Sequence, residues 1–268
     1  MTVIAGIDMA IGSENTGRMF QISYQGTLRP YWASNMAGGA GRNEGVTRWR
    51  GQYLGYGHTP ARFPGDSFTF TGSVDGTNGV TGTALCDAIV IRGSLQRGGP
   101  IEYMVKYTGI SALTLGAAAA ADETNPNPPD ALDMKIDVDG TDEDDVTDVV
   151  MEITARNRYY ASSTTPGVTK GVAGGIDARV MWRLLQGTVT SLQTPNTNAI
   201  VKAYVTSTTF WQFSKMRVES LGDFTADHEG SDPVGGTILA SMNGANAGAG
   251  IGCILNPAEA CKWGTAPE

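Results

Sequence analysis

At 268 residues and 28.1 kDa, with a formal net charge of −8, the chain is long enough to bury the core of one large domain and too short for a string of them. Hydrophobic residues make up 41%, which suffices for such a core, but charged residues reach only 17% against a usual figure of about 25%, which points to a surface partly covered by neighbours. The same composition excludes several classes: no run attains the roughly 18 apolar residues of a transmembrane helix, no basic stripe marks a nucleic-acid reader, and Cys86, Cys253 and Cys261 are too few and too uneven for a disulfide scaffold.

Taken in chain order, residues 1–18 lack the basic start of a secretory signal, and Asp8 and Glu14 interrupt their apolar residues. With so few cysteines, the expected setting is a reducing cytoplasm. Residues 31–48, which include Gly38-Gly39, read as a first long irregular segment. Beyond them the dominant signal is period-two alternation, the mark of half-buried strands. Phe68 and Phe70 share one face of residues 67–72, with threonines on the other. Ile101, Tyr103, Val105 and Tyr107 oppose Glu102, Met104 and Lys106. Val149, Met151 and Ile153 oppose Glu152 and Thr154. Val180, Trp182 and Leu184 oppose Arg179, Met181 and Arg183, and Met216 and Val218 oppose Lys215, Arg217 and Glu219. Residues 88–91, 201–213 and 237–242 are further strand-like runs, the last bounded by Gly235-Gly236 and Asn243-Gly244. Only residues 189–192 suggest a short helix. The 36 glycines, about twice the usual share, fit the turns and bulges of a sandwich or barrel.

Two more segments break the pattern. Residues 117–148 contain an alanine run, an NPNPP stretch and most of the acid. From Asp122 to Asp148 eleven carboxylates face Lys135 alone, a local charge of −10, so the remainder carries +2. The body is near neutral and bears one acidic insertion. Residues 245–268 form a glycine- and alanine-rich tail. The resulting division is an N-terminal segment 1–48, a β core 49–244 with the acidic insertion 117–148, and an extension 245–268.

Catalytic chemistry lacks its parts. His58 and His228 are the two histidines, each in a turn-like context, and no nucleophile elbow accompanies them. Cys253 and Cys261 have no neighbouring histidine for zinc. Asp137-Val138-Asp139-Gly140 is similar to the middle of an EF-hand loop, but Lys135 and Val146 then occupy the first and twelfth ligand positions, where neither can bind calcium. No phosphate-binding loop occurs, and Gly248, Gly250 and Gly252 are followed by Cys253 rather than by the spacing of a dinucleotide site. The expectation is a protein that is not an enzyme, with no catalytic, cofactor-binding or metal residues and no cofactor. Trp182 and Trp211 sit in strand patterns and read as core; Trp32, Trp49 and Trp263 read as loop residues available to anchor an interface.

One block says more. Trp49-Arg50-Gly51, followed after a short gap by GHTPARFPGDSFTFTG over residues 57–72, resembles the N-terminal strand-and-turn block of siphophage-like tail-tube proteins, with Pro60 and Pro64-Gly65 reversing the chain before an aromatic strand. Three further stretches are similar in the same order. Residues 91–116 look like a strand pair ending at a small-residue turn, residues 159–178 like a Ser/Thr-rich loop before a central strand, and residues 203–244 like the closing block. The acidic insertion and the tail past Gly244 depart from the pattern.

The resemblance implies an all-β, sandwich- or barrel-like tail-tube fold with long loops and extended arms and at most one short helix. It implies a virion protein, assembled in the bacterial cytoplasm, whose copies form six-membered rings that stack into a tube. The implied partners are other copies of itself and the tape-measure, tail-terminator and distal tail proteins, with DNA passing through the lumen without specific contacts and no insertion into a membrane. Six acidic insertions facing the lumen would repel DNA, whereas facing outward they would keep tubes apart. A head decoration or connector protein shares the same β-rich, arm-bearing character, and a β-sandwich module for sugar or cell-surface binding is the third reading.

Overall fold

Alternating sequence becomes strand wherever one face can be buried, and that condition is met along most of this chain. A computed structural model describes residues 2–6, 8–11, 14–15, 19–25, 28–31, 41–44, 48–57, 62–75, 77–117, 129–163, 165–186, 196–225, 234–242 and 253–256. The first strands are β1 (Thr2–Gly6), β2 (Asp8–Ile11), β3 (Glu14–Asn15), β4 (Met19–Gln25), β5 (Leu28–Tyr31) and β6 (Gly41–Glu44). Next come β7 (Arg48–Tyr56), β8 (Ser67–Ser73), the 17-residue β9 (Asn78–Ser94), β10 (Glu102–Gly109) and β11 (Thr114–Ala117). A 3-10 turn at Ala131–Asp133, capped by the Asp130 side chain, precedes β12 (Lys135–Val138), β13 (Thr141–Asp142) and β14 (Val146–Ala155). Then follow β15 (Arg158–Ser162), β16 (Thr165–Val172), β17 (Ile176–Gln186), β18 (Asn196–Tyr204), the 16-residue β19 (Phe210–Thr225), β20 (Val234–Met242) and β21 (Cys253–Asn256). The fold is all-β and built around one large antiparallel sheet. No helix among the described residues is long and apolar enough to cross a membrane.

Successive pairings run β1, β4, β7, β10, β9, β14, β17, β20, β19, β18, β12, β13. Two long strands change partners along their length. The first half of β9 takes β8 on one edge, its second half takes β14 there, and the register shifts by one residue opposite Lys106 and Tyr107. In β19, residues 210–213 pair with β18 and β21, while residues 216–221 pair with β20. Between the halves lies Lys215 at φ 58°, a left-handed conformation that bends the strand. Strand alternation collects the apolar residues of the sheet on one face.

That face forms a single core. Rows of residues in register across the sheet (Tyr53, Val105, Ile89 and Ile153; Tyr103, Ile91, Met151 and Val180) are buried. Aromatic rings also meet across strands that do not pair. Trp49 of β7 packs edge-on against Phe70 of β8 with ring centres 5.6 Å apart, and Tyr107 of β10 packs against Phe68 at 5.6 Å. Phe63 meets Trp211 at 5.9 Å.

Several expectations change. Trp49 is not a loop residue: it lies in β7, is 1% exposed, and its indole N–H donates to the Ser111 carbonyl at 2.6 Å. Much of residues 159–178, read as a Ser/Thr-rich loop, is strand: Arg158–Ser162 and Thr165–Val172 pair as β15 and β16, and β17 begins at Ile176. Parts of the irregular segments also pair. Residues 41–44 pair with β5, and Cys253–Asn256 pairs with β19 of the same chain. Within the acidic insertion, Lys135–Val138 pairs with β18 because Ile136 and Asp137 are buried there despite the surrounding charge. Residues 189–192 lie outside the described residues.

Candidate functional site

The face of the large sheet opposite the core carries a mostly polar row of residues in register. Gln21, Gln52, Lys106, Ala88, Thr154 and Asp177 stand side by side on β4, β7, β10, β9, β14 and β17. One pleat further along, Ser23, Arg50 and Thr108 form a parallel row. Because strand side chains alternate, the same strands that bury Tyr53, Val105 and Ile153 must turn these polar groups outward. A groove of about 670 Å³ runs over this surface, with Arg50, Lys106, Glu152, Arg156 and Asp87 among its walls.

Asp87 sits at the register shift in β9, and its carboxylate accepts three hydrogen bonds. Thr108 Oγ1 donates to Oδ2 at 2.6 Å. Asn157 Nδ2 donates to Oδ1 at 3.0 Å and to the Cys86 carbonyl at 2.8 Å, and the Tyr159 hydroxyl donates to Oδ1 as well. Burial first, then the bond to Asp87, holds the Tyr159 phenol above its ordinary pKa, so it remains a donor. The Asn157 carbonyl accepts from Gly174 N–H at 3.3 Å. These bonds fasten the β15–β16 hairpin to the large sheet. Cys86, beside Asp87, is buried, and desolvation followed by the nearby Asp87 charge pushes its thiol well up, away from a reactive thiolate.

Charges elsewhere on this face come in matched pairs. Arg92 bonds Glu102 at 2.9 Å, Arg156 reaches Asp177 at 3.3 Å and Arg217 reaches Glu219 at 3.1 Å. Arg179 stands opposite Glu152, and Arg183 opposite Asp148. Arg48, Arg50 and Lys106 differ: the residues facing them across β4, β7, β9 and β10 are Gln25, Ser23, Thr108, Gln52 and Ala88, none of them acidic. All three are exposed and have no carboxylate partner among the described residues. No sequence motif announces this patch, since only the register brings residues 48, 50 and 106 together.

The residues singled out by sequence are not gathered into this groove. His58, His228, Cys261, Trp32 and Trp263 lie outside the described residues, and of Cys253 only the strand is described. Asp137 is 6% exposed and serves a turn: its carboxylate accepts from Gly140 N–H at 2.8 Å, with Lys202 Nζ 3.9 Å away. Asp139 Oδ1 accepts from Ile200 N–H at 2.8 Å. The acids of the EF-hand-like stretch thus organise backbone, and no group of three or more His, Cys, Asp or Glu residues placed to hold a metal occurs among the described residues. Trp182 and Trp211, each 1% exposed, are core residues. Comparison with protein-family models finds no match, and comparison with curated proteins finds none either.

Proposed function

We propose that the chain is a structural virion protein, the subunit of a phage tail tube that polymerises as stacked six-membered rings and conducts DNA into the host. The observation that carries this reading is the open end of the large sheet. β1 pairs with β4 on one side, and its other edge has no partner among the described residues. An uncovered edge at the end of a wide antiparallel sheet is a template for strand pairing with a second copy. The ordered resemblance across residues 49–244 favours the tail tube among assembling proteins. Burial of Trp49, Trp182 and Trp211 weighs against a sugar-binding module, because it removes three aromatic platforms from the surface.

Negative-stain electron microscopy of the purified protein over a concentration series tests the proposal. The expected result is hollow tubes or stacked rings of constant diameter. Particles that remain single at every concentration, with the purified tail proteins present as initiators, would reject it.

A further inference from the structure

Beyond strand pairing at the sheet edge lies the question of how copies meet along the other direction, and the charges offer an answer. The cations without carboxylate partners lie toward one end of β14: Lys106 faces Ala88, which faces Thr154, and Ala155 and Arg156 line the same groove. At the opposite end of β14, just before Val146, stands a turn of the acidic insertion. Asp144 and Asp145 there are exposed, and their side chains have no partner among the described residues; Asp145 is held at φ 56°, which fixes the turn. Asp142 beside them is already matched, bonding Lys135 at 3.0 Å.

From Val146 to Ala155 the strand spans about 30 Å at the usual rise. An acidic knob and a basic groove at opposite ends of one rigid strand cannot satisfy each other within a copy. They can do so between copies displaced along the strand direction. Resting on the assembly reading above, we infer that the groove bearing Arg50 and Lys106, with Arg48 two residues before Arg50 on β7, receives the Asp144–Asp145 turn of the next copy. Such a contact joins two different surfaces and is therefore heterologous: each copy offers a free groove at one end and a free knob at the other, so the stack has no built-in stop. Opposite charges across an interface set register and speed association, and salt weakens them.

Charge reversal with a swap tests this. One variant carries Arg50→Glu and Lys106→Glu, the other Asp144→Lys and Asp145→Lys; near-ultraviolet circular dichroism checks that each is folded. Association is followed by sedimentation at low salt and at about 1 M salt, where the screening length is about 3 Å. The wild-type chain is expected to associate at low salt and less at high salt. Each reversed chain alone should associate about tenfold or more weakly. An equal mixture should recover association, because every acidic groove then finds a basic turn and every basic groove an acidic one. Reversed chains that associate as the wild type does, or folded variants whose mixture fails to recover, overturn the inference. If those chains still build hollow tubes, the tail-tube reading survives alone. Salt-dependent, swappable association without tubes would leave the inference standing and remove that reading. A wild-type chain that stays monomeric at both salt concentrations, with the purified tail proteins present as initiators, removes both.

Discussion

Trp49 fills a space that glycines on two other strands leave open. A Cβ on Gly109 would lie 1.9 Å from the indole and one on Gly82 2.9 Å from it, so both positions are glycine to admit the ring. The same device recurs beside it: Tyr107 lies over Gly51 and Tyr103 over Gly55, each so close that a Cβ would fall within 2.5 Å of the neighbouring ring. The glycines of β7 therefore mark places where a neighbouring strand's aromatic covers bare backbone, rather than turns. We expect Gly109→Ala to destabilise the protein by about 1–3 kcal/mol, the usual cost of overpacking, as read by urea unfolding. Gly116→Ala, with nothing within 4 Å of its Cβ, is the control and should be neutral or slightly stabilising. None of this was legible in the sequence. RWRGQYLGY places charged residues on both sides of Trp49, and the glycines acquire meaning only from residues far along the chain. The basic patch was hidden for the same reason.

At the scale of elements, β15 and β16 form a two-stranded ribbon of their own, separate from the large sheet. Such a ribbon is marginal in isolation, so its attachment decides its order. The attachment is Asp87 with Asn157, Tyr159 and Thr108. Asn157→Ala removes the bonds to Asp87, to the Cys86 carbonyl and from Gly174 N–H, and should loosen the ribbon by about 1–3 kcal/mol. Hydrogen exchange should then quicken about tenfold or more across residues 158–172 and stay near wild-type rates in β14 and β17. Strands with a clean face were readable in advance: Ile101, Tyr103, Val105 and Tyr107 are all buried, as are Val149, Met151 and Ile153, and Val180, Trp182 and Leu184. Elements that alternation missed are those whose pairing contradicts their composition. Lys135–Val138 is four residues long inside the most acidic part of the chain, and only its place beside β18 makes it a strand. The 158–172 ribbon failed to register because its serines, threonines and glycines signal turns.

At the scale of the whole molecule, the edge of β1 that has no partner among the described residues offers a clean test of assembly against folding. Successive N–H groups in a strand point to opposite edges, so of Val3 and Ile4 one directs its N–H toward β4 and the other toward the open side. Proline at the outward position leaves the pairing with β4 intact and blocks a second copy. Of the variants Val3→Pro and Ile4→Pro, one is therefore expected to keep the wild-type near-ultraviolet spectrum while losing tubes under the electron microscope. If both variants form tubes, the open edge does not join copies. The partner change of β9 has a consequence in time as well as in space. Its neighbours β8 and β10 adjoin it in sequence and can zip onto it as local hairpins, but β14, which pairs Asp148 with Ser94, must return after the whole stretch that carries β10 to β13. Loop closure of that length is slow compared with hairpin formation. During synthesis the second half of β9, rich in Ile89, Val90 and Ile91, therefore waits with one edge bare, and that interval is when the chain is most exposed to pairing with the wrong copy.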